Sequence, residues 1–162
     1  MAFSMVSPIL KLWGKSGCYY NLYIGGVVMG NSGVMSLWIG NFRTKQNLKD
    51  YVEMKFDEVG NRIPSQFMRD FNLDFINYNQ DLLESTFIED SVTSLALLLS
   101  GSSYEADILP QFVEHYGEEL SESYNSVIRL YDFEYDGEVD KTKFKSGNLI
   151  YRGSVVYEEW DE

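Results

Sequence analysis

Few side chains in this chain suit covalent or acid–base chemistry, so their types and spacing bound its function early. His115 is the only histidine and Cys18 the only cysteine. That leaves too few ligands for a zinc site of the usual kind and allows no intramolecular disulfide. A Ser–His–Asp triad would have to use His115, and no Gly-x-Ser-x-Gly elbow occurs. His115 falls on an amphipathic pattern beside Glu114 and Glu118, where a lone histidine reads as a boundary residue. Asp132, Glu134, Asp136 and Gly137 have the spacing of the first half of a calcium loop. The twelfth position, which needs a bidentate glutamate, is Lys143, and the leading residues alternate as a strand does. Gly14-Lys15-Ser16 has the end of a phosphate loop, but the glycine required five residues earlier is Ile9.

What remains is carboxylate. The formal net charge is −12, and the first acid in the chain is Asp50. From Asp70 to Ile128 there are twelve Asp and Glu and no Lys or Arg. A single-sign region of that length repels nucleic acid, phosphates and anionic membrane. It attracts a basic partner and speeds the encounter with it, although a merely soluble acidic surface has the same composition. The basic residues are scattered along the sequence, which disfavours phosphate contact. No apolar run approaches the length of a membrane span. Two carboxylates could serve a glycosidase, but acids are so frequent here that almost any pair meets that rule. No metal or other cofactor is implied.

The elements that must position these acids follow from periodicity. A chain of 162 residues with 44% apolar content reads as one domain with a sizeable core. Its twelve Tyr and ten Phe fall at strand and helix spacing. Val34–Phe42 (VMSLWIGNF) is a short apolar strand, with Trp38 as a core anchor whose indole N–H needs a partner. Gly40 sits where the strand must turn toward a helix. Thr44 caps a helix over 44–56 whose stripe is Leu48, Tyr51, Val52 and Phe56. Asp57–Asn61 is a polar loop. Pro64 opens a short helix with Phe67, Met68 and Phe71 on one side, and 81–87 reads as an edge strand. Ser91 or Asp90 caps a helix running to Ser100, stopped by Gly101 and buried nearly all round. Asp107 caps the next, whose stripe is Leu109, Phe112, Val113, Tyr116 and Leu120. Its other side carries Glu114, Glu118 and Glu122 at i, i+4 and i+8, like charges that cost roughly 0.2–0.5 kcal/mol per pair. Ser126–Tyr135 is the clearest strand. Asp136-Gly137 is a turn, and Asn148–Tyr157 reads as a partner strand in which Gly153 marks a bulge or close packing. The fold class that results is α+β: one small, mainly antiparallel sheet packed against three to four helices.

Residues 34–160 form that domain, and residues 1–33 an N-terminal extension. Its first 28 residues hold two lysines and no acid. Asn21 and three tyrosines interrupt any signal-peptide core. Gly25-Gly26 can be encoded by a purine-rich ribosome-binding site, which puts a natural start at Met29 or Met35 and makes the extension non-native or peripheral.

Trp38-Ile39-Gly40, the helix after it and the segment Asn125–Gly137 (NSVIRLYDFEYDG) resemble the immunity protein 22 family of bacterial polymorphic-toxin systems. The similarity runs from about Val34 to Tyr157. The family's Trp-x-Gly falls on Trp38 and Gly40. Its Tyr, with Cys four residues on, falls on Tyr124 and Ile128, and the loss of that cysteine marks the position as structural. The resemblance implies an α+β protein encoded beside a toxin gene, cytoplasmic and not an enzyme, that binds and blocks the toxin's C-terminal domain. Many such toxins are nucleases with basic grooves, and close charge pairs across a nuclease–inhibitor interface couple by roughly 1.5–7 kcal/mol. On that reading Asp81, Glu84, Asp107, Glu114, Glu118 and Glu122 contact the toxin, while Trp38, Gly40 and Tyr124 are scaffold. Two alternatives stay open: a small carboxylate-dependent hydrolase, and an acidic nucleic-acid mimic binding other basic proteins. The oligomeric state and the toxin's identity are left open as well.

Overall fold

The computed structural model describes residues 33–158, together with a two-residue ribbon of β1 (Tyr23–Ile24) and β2 (Val27–Val28). Cys18, the Gly14-Lys15-Ser16 motif and the proposed alternative start at Met29 lie outside the described residues. The main sheet has five antiparallel strands in the order β6-β7-β3-β9-β8. These are β3 (Val34–Phe42), β6 (Leu83–Ser94), β7 (Glu119–Tyr131), β8 (Lys141–Phe144) and β9 (Gly147–Val156). Helices α1 (Lys45–Val52), α2 (Gln66–Asp70), α3 (Leu95–Leu98) and α4 (Glu105–Tyr116) complete the domain, with a small ribbon of β4 (Lys55–Phe56) and β5 (Arg62–Ile63).

The alternation in β3 explains the layering. Met35, Leu37 and Ile39 point into one core with Leu95, Leu98, Ile108 and Phe112 of α3 and α4. Trp38 and Phe42 point into the other with Leu48, Tyr51, Phe67 and Met68 of α1 and α2. A strand buried on both faces reads as a nearly continuous apolar run, which is why VMSLWIGNF stands out. It also needs a neighbour on each side, and those are β7 and β9. The expected pairing of β7 with β9 is therefore corrected: β3 lies between them. Of the two readings open at Gly153, the bulge is present. Leu37 faces Gly153 and Trp38 faces Tyr151, which leaves Arg152 without a partner in the ladder.

Thr44 is the cap of α1, its hydroxyl accepting from Asn47 N at 3.0 Å. The helix stops at Val52, and Phe56 belongs to β4 and to the surface, not to the apolar stripe. Ser65, one residue after Pro64, caps α2, and Phe67, Met68 and Phe71 are buried as expected.

The long buried helix over 91–100 is not formed. β6 continues through Val92 to Ser94, which caps a single turn of helix. Leu95, Leu98 and Leu99 are buried, while Leu97 faces out. The next helix also differs. Tyr104 in the left-handed region (φ 57°) precedes α4, and Asp107 lies in its first turn instead of capping it. The helix ends at Gly117 (φ 87°), so Glu118, Leu120 and Glu122 are not on it.

After Tyr131 the backbone passes through Asp132 at φ 54°, and this reverses the alternation. Val127 and Tyr131 face α3 and α4, but Phe133 and Tyr135 join the core with Trp38. Ser36 holds the displaced segment: its hydroxyl lies 2.7 Å from Phe133 O and accepts from Tyr135 N at 2.9 Å. Asp136-Gly137 lies in the irregular stretch that follows, and the hairpin turn proper joins β8 to β9 at residues 145–146.

Trp38 sits in an aromatic cage of Phe67, Phe71, Tyr135 and Tyr151, with ring centroids 4.9–5.7 Å away. Its indole N–H has no hydrogen-bond partner, contrary to expectation. Gly40 is required for a different reason from the one its sequence position suggests. It lies inside β3, and a Cβ there would run into the Asn148 carbonyl and sit 2.8 Å from Leu149 Cα. The glycine permits close approach of β9 to β3.

Candidate functional site

The acids of the 70–122 stretch are carried by several elements: the turn before β6, β6 itself, α4 and the start of β7. Asp81 is exposed in the 3-10 turn Gln80–Leu82, which Asn79 caps by accepting Asp81 N at 3.0 Å. Asp107 is half-buried on α4 and accepts Glu158 N at 3.1 Å. Glu114 is exposed in the last turn of α4, and Glu118 and Glu122 are exposed before and within the start of β7.

Glu114, Glu118 and Glu122 therefore do not form the helical acidic face that their spacing suggests. The strand register gives Glu118 and Glu122 other company. β6 and β7 slip past each other between Phe87 and Val92 and again between Val92 and Ser94. The unpaired residues on β6 include Glu89 and Asp90, and those on β7 include Glu122. Glu119 pairs with Ser94 and accepts the Thr93 hydroxyl at 2.5 Å. One end of the β6–β7 pair thus carries Glu89, Asp90, Glu118, Glu119 and Glu122. The doublets Glu89-Asp90 and Glu118-Glu119 were visible in the sequence, but only the register shows that they share an end. Bulges at sheet edges re-aim side chains in this way.

Glu84 behaves differently. It accepts from Ser103 N (3.2 Å), Ser103 Oγ (2.5 Å) and Tyr131 OH (2.9 Å), and its Oε1 lies 3.4 Å from Arg129 Nε. Arg129 is buried, and its two terminal nitrogens donate to Ser102 Oγ and Thr86 Oγ1, both at 2.6 Å. Partial burial works to raise the Glu84 carboxyl. The hydrogen bonds from Ser103 and Tyr131 and the Arg129 charge outweigh it, so Glu84 titrates below its ordinary range. Burial lowers the Arg129 guanidinium. Tyr131 is pushed well up by burial and by the Glu84 charge. This cluster ties the edge strand to the loop before α4, an internal role that the sequence did not disclose. Arg129–Glu84 is the one ion pair within 4 Å among the described residues, so no other acid there has a close cation among them.

The basic residues are less scattered in space than in sequence. Arg43, Lys143 and Lys145 line one groove of about 300 Å³ with Asn41, Phe42, Phe144 and the β8–β9 turn. Arg43 N donates to Ser146 O at 3.0 Å, which closes the base of the groove. β8 and β6 are opposite edges of the sheet, so this groove and the β6 acids lie on opposite edges.

Trp38, Gly40 and Tyr124 are all buried. Tyr124 accepts from Arg152 at 2.7 Å, and that guanidinium also lies 5.4 Å from the rings of Tyr116 and Tyr124. Ile128 is fully buried and pairs with Trp38. His115 packs edge-on against Tyr116 at 4.6 Å, and desolvation lowers its pKa. Asp132, the first residue of the calcium-like pattern, accepts from Gly33 N (2.9 Å) and Tyr157 OH (2.6 Å) instead. No group of three His, Cys, Asp or Glu among the described residues is placed to hold a metal ion, and no helix there is long and apolar enough to cross a membrane.

Exposed, ionised carboxylates accept hydrogen bonds and donate none. The β6 edge therefore suits a surface rich in Lys and Arg. A family model described as Immunity protein 22 matches residues 35–158. No curated protein and no solved structure matches the chain.

Proposed function

The chain belongs to the immunity protein 22 family, and from that premise we propose that it is a cytoplasmic, non-enzymatic inhibitor of one cognate toxin domain, a nuclease, held through an acidic surface. The observation that carries the reading is the family match across nearly all of the described domain. The charge distribution supports the manner of binding. Glu89, Asp90, Glu114, Glu118, Glu119 and Glu122 are exposed without a close cation among the described residues, and a nuclease must expose cations to hold phosphate. Fixed carboxylates steer onto such a groove and compete with the substrate's charge for it. Glu84 and Asp107 contribute to this surface less, because their carboxylates already hold internal partners.

The test uses the toxin domain encoded beside the gene. Co-expression should restore growth to cells making that domain, and the purified pair should associate at a rate that falls steeply with salt. Neutralising Glu114, Glu118 and Glu122 together should slow association roughly tenfold or more at low salt. A salt-independent rate would remove the steering argument. Failure to bind or to protect would remove the proposed function.

A further inference from the structure

We infer that the groove of Arg43, Lys143 and Lys145 receives acidic side chains of the toxin domain while the neighbouring β6–β7 carboxylates take its cations. One end of the sheet is then a contact surface of two signs. This rests on the reading above and deepens it, since that reading uses the acids alone. In a chain of net charge −12, Arg43, Lys143 and Lys145 line the cavity and no acid does. None of these cations has a carboxylate within 4 Å among the described residues. Lysine on an edge strand keeps other strands away, which accounts for Lys143 on β8. It does not account for Arg43, which follows β3, or for Lys145, which lies in the β8–β9 turn. Arg43 and Lys45 also stand at the start of α1, whose first turn holds no acid. That end of a helix is its positive end and favours carboxylates. Cations gathered there call for an anion from outside.

The groove is fixed before contact. Phe144 packs 5.1 Å from the Phe42 ring and stacks on Tyr51 at 4.5 Å. A Cβ on Gly147 would run into the Asn41 carbonyl, so β9 lies close against β3 at this point. Groups held in place beforehand lose little entropy on binding.

Asn41 joins the groove to the acids. It lines the groove, its Nδ2 donates to Ser123 O at 3.4 Å, and its Oδ1 lies 3.5 Å from Ser91 Oγ. Ser91 follows Glu89-Asp90, and Ser123 follows Glu122. The register agrees. Phe42 faces Gly147 and Gly147 faces Phe144, while Gly40 faces Ser126 and Ser126 faces Phe87. Groove and acids thus share the end of the sheet that β3 reaches at Phe42. Strands stand about 4.8 Å apart, so this end spans about 19 Å from β8 to β6. A contact of ordinary size, about 800 Å² per partner, covers both signs.

The pattern selects its occupant. A nuclease sets carboxylates beside its phosphate-binding cations, to hold a divalent ion or to take a proton. A surface with both signs answers both and fixes the orientation of docking. A second copy of this chain also carries both signs, but two chains of net charge −12 repel one another.

The experiment measures affinity and association rate of the full chain with the adjacent-gene toxin domain. The variants are Arg43→Gln/Lys145→Gln and Lys145→Glu, with Arg43→Lys/Lys145→Arg as the conservative control. Both side chains are exposed, and circular dichroism with thermal midpoints checks that each variant folds. Both charge variants should lose about tenfold or more in affinity, the low end of the coupling between close charge pairs, although each makes the chain more acidic. The control should stay within about twofold. A purely acidic contact gives the opposite result, faster association and unchanged or tighter binding, and that result overturns the two-sign surface alone. Tripolyphosphate held by the unaltered chain but not by the variants would then identify phosphate as the groove's occupant. A dimer of the free chain broken by Lys145→Glu also overturns it. No binding by the unaltered chain overturns the function proposed above, and this surface with it.

Discussion

Replacing Glu84 with alanine should cost far more than removing an ordinary surface acid, and the structure says how much. Arg129 is 3% exposed, and Glu84 is the only carboxylate among the described residues within ion-pair distance of it. After truncation the guanidinium keeps its bonds to Ser102 and Thr86, but its charge has no counterpart. Breaking a fully buried pair from one side costs about 3–5 kcal/mol. Glu84 is 33% exposed, so water reaches part of the vacated space and the expected cost falls to about 2–3 kcal/mol. In urea this is a drop in midpoint of about 1–2 M at unchanged slope. The double variant Glu84→Leu/Arg129→Met removes both charges and should recover to within about 1 kcal/mol of the unaltered chain. The pH dependence has a fixed sign. Because folding holds the Glu84 carboxyl below its ordinary value of 4.5, its contribution is complete above that pH and is lost as pH falls through the lower folded value. The gap between Glu84→Ala and the unaltered chain should therefore narrow below about pH 4. A midpoint shift below about 0.3 M at pH 7 would refute the argument and return Glu84 to the exposed acids.

Three further outcomes follow from the geometry. Gly40→Ala drives a Cβ into the Asn148 carbonyl and should destabilise by about 3 kcal/mol or more, seen as a lower thermal midpoint and reduced soluble yield. Trp38→Phe removes bulk from the aromatic cage but also removes an unsatisfied N–H worth about 1–3 kcal/mol, so its urea midpoint should fall much less than that of Trp38→Ala, for which about 3–5 kcal/mol is expected. Asp57→Ala should leave the unfolding midpoint where it is while exchange of the Val59 and Asn61 amides quickens, since both donate to Asp57 Oδ1.

What could be read from sequence was what local chemistry controls. The apolar run of β3 announces a buried strand, Thr44 announces a helix start, and Gly153 announces a bulge or close packing, of which the bulge is formed. The family pattern marks Trp38, Gly40 and Tyr124, and all three are buried. The failures lie where neighbours outvote local pattern. Ser91 to Leu99 looks helical because leucines crowd its end, yet the first part extends an edge strand whose partner begins at Glu119. Leu120 and Glu122 continued the spacing of α4 past Gly117, although a glycine there is an ordinary helix stop; weighing it more heavily would have ended the helix correctly. Asp132 gave no sign that it would adopt a positive φ, and so the destination of Phe133 and Tyr135 could not be foreseen. The excess of carboxylates was legible as composition, but which of them stand together was not, because the β6–β7 slippage decides it.

The position of β3 has a temporal consequence. It is the first long strand of the main sheet in chain order, yet its two neighbours are β7 and β9, which begin at Glu119 and Gly147. A nascent chain that has reached residue 118 therefore holds its most apolar strand with no flanking strand on either side. Both helical layers then lack most of the sheet they rest on, and the sheet can close only after Gly147–Val156 has been made. Contacts so distant along the chain slow folding, so a cell that needs this domain must begin making it well before the moment of need.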